Sequence, residues 1–92
     1  MTKADKHALI CKELNNLYIR KNHDYGDAFS ESFKKYGNVM PLIRLEDKLN
    51  RARVLMLGES TEVKGESIRD TLIDLANYAI MTIIEMEGEA EA

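Results

Sequence analysis

The sequence predicts an all-α protein, a small bundle of about four helices, on three observations. Apolar residues recur at helical spacing through four segments, no segment alternates as a strand would, and glycines punctuate the breaks. With 92 residues, a single proline and five glycines, the chain has room for one domain, spanning 1–92, made of long regular elements.

The first helix is expected over residues 3–22, where Ile10, Leu14, Leu17 and Tyr18 form a stripe. His23–Asp24–Tyr25–Gly26 then reads as a helix-to-helix turn, with Asp24 available to cap the second helix. That short second helix, over 27–36, places Phe29 and Phe33 on one face, and Gly37–Asn38 ends it. Pro41 suits the first turn of the third helix, whose expected stripe is Leu42, Leu45, Leu49, Ala52 and Met56, with Arg53 on the same face. Gly58 stops that helix, and residues 58–65 (GESTEVKG) read as an exposed loop. The fourth helix covers 66–87. The acidic end around it, with Glu85, Glu87, Glu89 and Glu91, reads as a frayed and solvated tail from about residue 87.

Helix four is apolar around most of its circumference, from Ile68 and Leu72 through Ile80 to Ile83, Ile84 and Met86. A helix of that kind is buried on nearly all sides. A single short chain offers too little cover, so the pattern predicts a homo-oligomer: most simply a two-fold dimer, with a tetramer as the alternative.

Composition narrows the partners. The formal net charge of −3 comes with no basic patch, which argues against a nucleic-acid polymer and leaves a mononucleotide arriving with its metal. Cys11 is the only cysteine, so no disulfide and no thiolate metal site is expected, and its place beside the helix-one stripe reads as a small core filler. The first residues carry no signal-peptide core, and residues 75–86 are too short and interrupted to span a bilayer. No membrane partner is expected, and the cytoplasm is the default location.

The residues suited to chemistry gather at the start of helix four. At about 100° per residue, Glu66, Asp70, Asp74 and Asn77 fall within an arc of roughly 80°. A solvated acidic face is one reading. The other is a cation site, because the same face continues into apolar Met81 and Ile84, and partly buried carboxylates repel one another unless a cation intervenes. Hard oxygen ligands suit Mg²⁺ or Mn²⁺. Glu46 on the flank of helix three could face that end and complete a carboxylate cage, or it could be an exposed acid whose stem covers apolar surface. Asp47, Lys48 and Arg51 read as surface ion pairing. The segment from Lys21 through Asp24 and Tyr25 to Gly26 combines a base, an acid, an aromatic ring and a glycine, which can position a phosphate or a nucleobase. The alternative there is an ordinary turn.

Three stretches taken in order resemble a known family: Lys21–Asn22–His23–Asp24–Tyr25–Gly26, then Leu45–Glu46–Asp47–Lys48–Leu49–Asn50–Arg51, then Glu66 through Asp70 and Asp74 to Asn77–Tyr78. Together they resemble the nucleotide modification associated domain 1 family of phages and bacteria, across about Tyr18 to Met86. More distantly the arrangement is similar to MazG-like all-α nucleoside triphosphate pyrophosphohydrolases. That resemblance implies a Mg²⁺-dependent cleavage of a (deoxy)nucleoside triphosphate to its monophosphate and pyrophosphate. It implies Glu46, Glu66 and Asp70 as metal ligands, with Glu46 and Asp70 central to catalysis. Asp74 would be a further ligand or a group behind the ligands, and Lys48 or Lys21 a phosphate contact. Asp24, Tyr25 and Asn77 would complete the substrate site. The acid pattern departs from the MazG-like EExxE and ExxD elements, since Glu46–Asp47 is followed by Asn50 and helix four spaces its acids by four. The alternative is a non-catalytic accessory module that binds a nucleotide or a protein partner.

Overall fold

The computed structural model describes residues 1–58 and 67–91, and within them the chain forms four helices: α1 (Lys3–Tyr25), α2 (Ala28–Tyr36), α3 (Val39–Met56) and α4 (Ile68–Glu91). The all-α bundle expected from periodicity is the observed fold, and no strand occurs among the described residues. Beyond Gly58, the predicted loop over 58–65 lies outside the described residues, as does Glu66.

Local chemistry explains where the helices begin and end. Thr2 caps α1 by a capping box: its hydroxyl accepts from the Asp5 amide at 3.1 Å, and the Asp5 carboxylate accepts from the Thr2 amide at 2.9 Å. The first helix runs three residues further than its stripe suggested, through His23, Asp24 and Tyr25, until Gly26 takes a φ of 66°. That left-handed φ is cheap only for glycine, so the break falls there and not at the acidic residues before it. Asp27, not Asp24, occupies the N-cap position of α2, without a side-chain cap bond. Gly37 repeats the device with φ 68°, its amide donating to the Phe33 carbonyl at 2.8 Å. At α4 the Ser67 hydroxyl accepts from the Asp70 amide at 2.9 Å, which starts the helix at Ile68, slightly later than expected.

Each helix contributes to a small core: Leu14 from α1, Phe33 from α2, Met40, Pro41 and Ala52 from α3, and Ile73 with Thr71 from α4. The broadest packing is between α3 and α4, while α1 meets α4 through its second half. The face that α3 buries is rotated from the predicted stripe. Pro41, Leu45, Lys48, Ala52 and Leu55 turn inward, whereas Leu42, Leu49 and Met56 are exposed. Lys48 belongs to the buried face because its stem covers apolar surface while its ammonium finds a carboxylate on α4. Arg53 leaves the predicted apolar face and is exposed, donating to Asn50 Oδ1 at 2.9 Å.

Cys11 is exposed, not a core filler, because the first half of α1 projects past its neighbours. The helix α4 extends to Glu91, four residues beyond its expected end. Glu85 is half-buried and accepts a hydrogen bond from the buried Ser30 hydroxyl at 2.9 Å, which pins α2 to α4. No helix of the described residues is long and apolar enough to cross a membrane.

Candidate functional site

The stripe of α4 that carries Asp70 and Asp74 continues at helical spacing into Asn77, Tyr78 and Met81. Its second part forms one wall of a cleft of about 550 Å³. The second half of α1 supplies Tyr18, Lys21 and Asn22 to the cleft, α2 supplies Phe29 and Ser32, and the start of α3 supplies Met40 and Arg44. The volume lies within the usual range for small-molecule sites, roughly 300–1,000 Å³.

One end of the cleft is charged. Asp74 is half-buried, its side chain 24% exposed, and it meets two ammonium groups from two other helices. Lys48 Nζ of α3 stands 3.1 Å from Oδ2, and Lys21 Nζ of α1 stands 3.4 Å from Oδ1. Arg44 lines the cleft one helical turn before Lys48. Two ammonium groups therefore meet one carboxylate, and with Arg44 in the cleft lining these cations outnumber the single acid of that lining, although the chain as a whole is acidic.

One turn along α4 from Asp74 the lining becomes aromatic. The rings of Phe29 and Tyr78 lie 6.1 Å apart between centroids with 28° between their planes, an offset stack. Met40 and Met81 add polarizable apolar lining beside them. Asn77 is held in place by α1: its amide nitrogen donates to the Leu14 carbonyl at 3.2 Å. A carbonyl can only accept, so the Asn77 carboxamide oxygen is turned away from that contact.

The expected site residues separate into two groups. Lys21, Lys48, Asp74 and Asn77 come together at or beside the cleft, and Lys48 is a bridge to α4, not a surface pairing partner. Glu46, Asp24 and Asp70 are exposed and outside the cleft lining. Asp24 sits beside His23 at the end of α1, and Asp70 begins α4 next to Arg69. The Tyr25 side chain and Glu66 lie outside the described residues. Among the described residues no three His, Cys, Asp or Glu side chains gather closely enough to hold a metal ion. The described donors alone thus do not complete a Mg²⁺ site.

Phe29, Tyr78 and Arg44 were not among the expected site residues. The signal was present in spacing: Tyr78 is one turn beyond Asp74, and Arg44 one turn before Lys48. Outside the cleft, Arg69 of α4 grips Glu13 of α1 through both guanidinium nitrogens, with one contact at 2.8 Å. Hydrogen bonding from Arg69 holds the Glu13 carboxyl below its usual range, and the same bond raises Arg69.

No curated protein and no solved structure matches the chain significantly. A family model does match, over residues 21–86, and its description is nucleotide modification associated domain 1. The match spans Lys21, Asp74 and Tyr78, the residues on which the cleft is built, and covers well over half of the chain. This protein belongs to the nucleotide modification associated domain 1 family.

Proposed function

We propose that the cleft binds a nucleotide, with the base against Phe29 and Tyr78 and the phosphate against Lys21, Lys48 and Arg44. The observation that carries this reading is that Asp74, which gathers the lysines, and Tyr78, which stacks on Phe29, stand on consecutive turns of α4. A nucleotide presents the two complementary chemistries, a flat aromatic face and an anion. Stacking a base on an aromatic side chain contributes about 1–3 kcal/mol, and it tolerates any base because each has a π-face. The family's association with nucleotide modification supports the same reading.

The test is calorimetric titration of the protein with a panel of canonical and modified deoxynucleotides, alongside pyrophosphate and phosphate release. Saturable binding that Tyr78→Ala weakens supports the cleft. No binding across the panel by a folded protein overturns it. In the binding reading the protein is an accessory module that presents or sequesters a nucleotide for a modifying system.

A second reading, hydrolysis of a nucleoside triphosphate to monophosphate and pyrophosphate, is favoured by the pair Asp70 and Asp74, one turn apart on α4. Mg²⁺ or Mn²⁺ bound there would polarise a phosphate and activate water. Metal-dependent pyrophosphate release that disappears in Asp70→Asn or Glu66→Gln supports this reading, and a flat release assay overturns it.

The surface supports a homo-oligomer. Ile80, Ile83 and Ile84 on α4, Leu42 and Ile43 on α3, and Leu57 just past the end of α3 are all exposed. The radius of gyration of 14.9 Å exceeds the value of about 12 Å expected for a compact chain of this length. A second copy seated on these faces would bury the apolar rows that the single chain leaves in water.

A further inference from the structure

We propose that Lys21, Asp74 and Lys48 form a metal-independent phosphate clamp, in which Asp74 is a counter-ion that the two lysines exchange for the phosphate of a nucleoside monophosphate. The proposal rests on the nucleotide reading of the same cleft and specifies its ligand. Three observations carry it. Asp74 accepts both ammonium groups, at 3.1 and 3.4 Å, each on a different carboxylate oxygen. The side chain of Lys21 is 55% exposed and that of Lys48 28%, so both can swing towards an anion entering the cleft. Arg44 lines the same cleft, so Lys21, Lys48 and Arg44 outnumber the one acid of the lining, an excess that suits a phosphate monoester, which carries close to two negative charges at neutral pH.

The same geometry disfavours entry of a metal. A divalent cation seeking Asp74 would have to displace two ammonium groups and then remain beside them, with like charges a few ångströms apart. A bare phosphate is instead attracted by both ammonium groups, and the like charge of Asp74 is the one cost it meets. It takes the lysines over from the carboxylate, which they regain when the phosphate leaves. Lysine suits this exchange because its ammonium is a compact charge on a flexible stem, without the fixed fork of arginine. Asp74 in this scheme keeps the empty cleft neutral enough to pack and sets how tightly phosphate is held.

The test is calorimetric titration of the whole protein with deoxynucleoside monophosphates and with the corresponding nucleosides, in EDTA and again in Mg²⁺. The expected result is a monophosphate affinity at least about tenfold above that of the nucleoside, unchanged by EDTA. Asp74→Asn should tighten monophosphate binding by about tenfold, because it removes the competing carboxylate. Lys48→Gln should weaken it by a similar factor and narrow the gap between monophosphate and nucleoside. Should Asp74→Asn fail to fold, Lys48→Gln and Lys21→Gln carry the test alone. Binding that requires Mg²⁺, or that Asp74→Asn abolishes in a folded protein, overturns the clamp and makes Asp74 a cation ligand. Equal affinity for nucleoside and monophosphate overturns the clamp while leaving the base site standing. Absence of binding by either overturns the nucleotide reading itself, and the clamp with it.

Discussion

Lys48 of α3 and Asp74 of α4 form an ion pair at 3.1 Å, with both side chains more than two-thirds buried. The pair crosses the most extensively packed helix interface in the protein and also borders the cleft. It is therefore expected to contribute to stability and, in the proposed function, to ligand affinity, and the two can be separated. A double-mutant cycle with Lys48→Met and Asp74→Asn in urea unfolding should show a coupling of about 0.5–1 kcal/mol. A coupling of zero would mean that the pair serves the ligand alone.

Tyr78 stacks on Phe29 and lines the cleft, so its ring is expected to carry base affinity. Tyr78→Ala should lower nucleotide affinity by about 1–3 kcal/mol, and Tyr78→Phe by much less, since the π-face remains. Equal losses in the two variants would assign the effect to the hydroxyl and remove stacking from the account.

Asn77 joins α4 to α1 by a hydrogen bond to the Leu14 carbonyl. Asn77→Ala should cost about 0.5–1.5 kcal/mol of unfolding free energy. The loss should come with increased proteolysis near α1, because α1 meets the rest of the chain through few elements. Stability equal to the unaltered protein would show that the bond forms no net link.

The Glu13–Arg69 bridge predicts an acid-side effect. The folded state holds Glu13 below its usual pKa, so the unfolded chain binds the proton more readily. The bridge contributes fully above the ordinary value near 4.5, and the contribution is lost as pH falls through the lowered folded value. Urea midpoints should therefore fall between pH 6 and pH 3 more steeply in the unaltered protein than in Glu13→Gln. Both groups are well exposed, so the effect should be small and shrink in high salt. Parallel curves for the two proteins would contradict the assignment.

Light scattering on the purified chain should give a mass above that of the 10.5 kDa monomer. Ile83→Glu, on the exposed apolar row of α4, should shift the protein towards monomer without loss of helicity. A monomeric parent protein would leave those rows without a second copy to cover them.

Much of the fold was legible because its signals are local. Helical periodicity and the glycines at 26, 37 and 58 located four helices, with bounds misplaced by only a few residues at most ends. The buried face of α3 was not legible from hydropathy, because it includes Lys48 and leaves out Leu42 and Leu49. A long cationic side chain can be buried along its stem when a carboxylate waits on another helix, and nothing near Lys48 in sequence announces Asp74. The site divided in the same way. The α4 stripe of Asp74 and Asn77 was readable from spacing, whereas its partners Phe29 and Arg44 come from helices whose relative rotation only packing decides.

The length of α1 has a consequence for how ligand and fold communicate. Its 23 residues extend for about 34 Å, and the bonds described between it and α4 all come from Glu13 onward. That docked stretch is also the one that delivers Tyr18, Lys21 and Asn22 to the cleft. Docking of the helix and occupation of the cleft by the proposed nucleotide would thus be thermodynamically linked, each strengthening the other to the same degree. A ligand acts here as a staple on a lever arm. Its arrival should be visible as slowed amide exchange along α1, including turns that the ligand never touches.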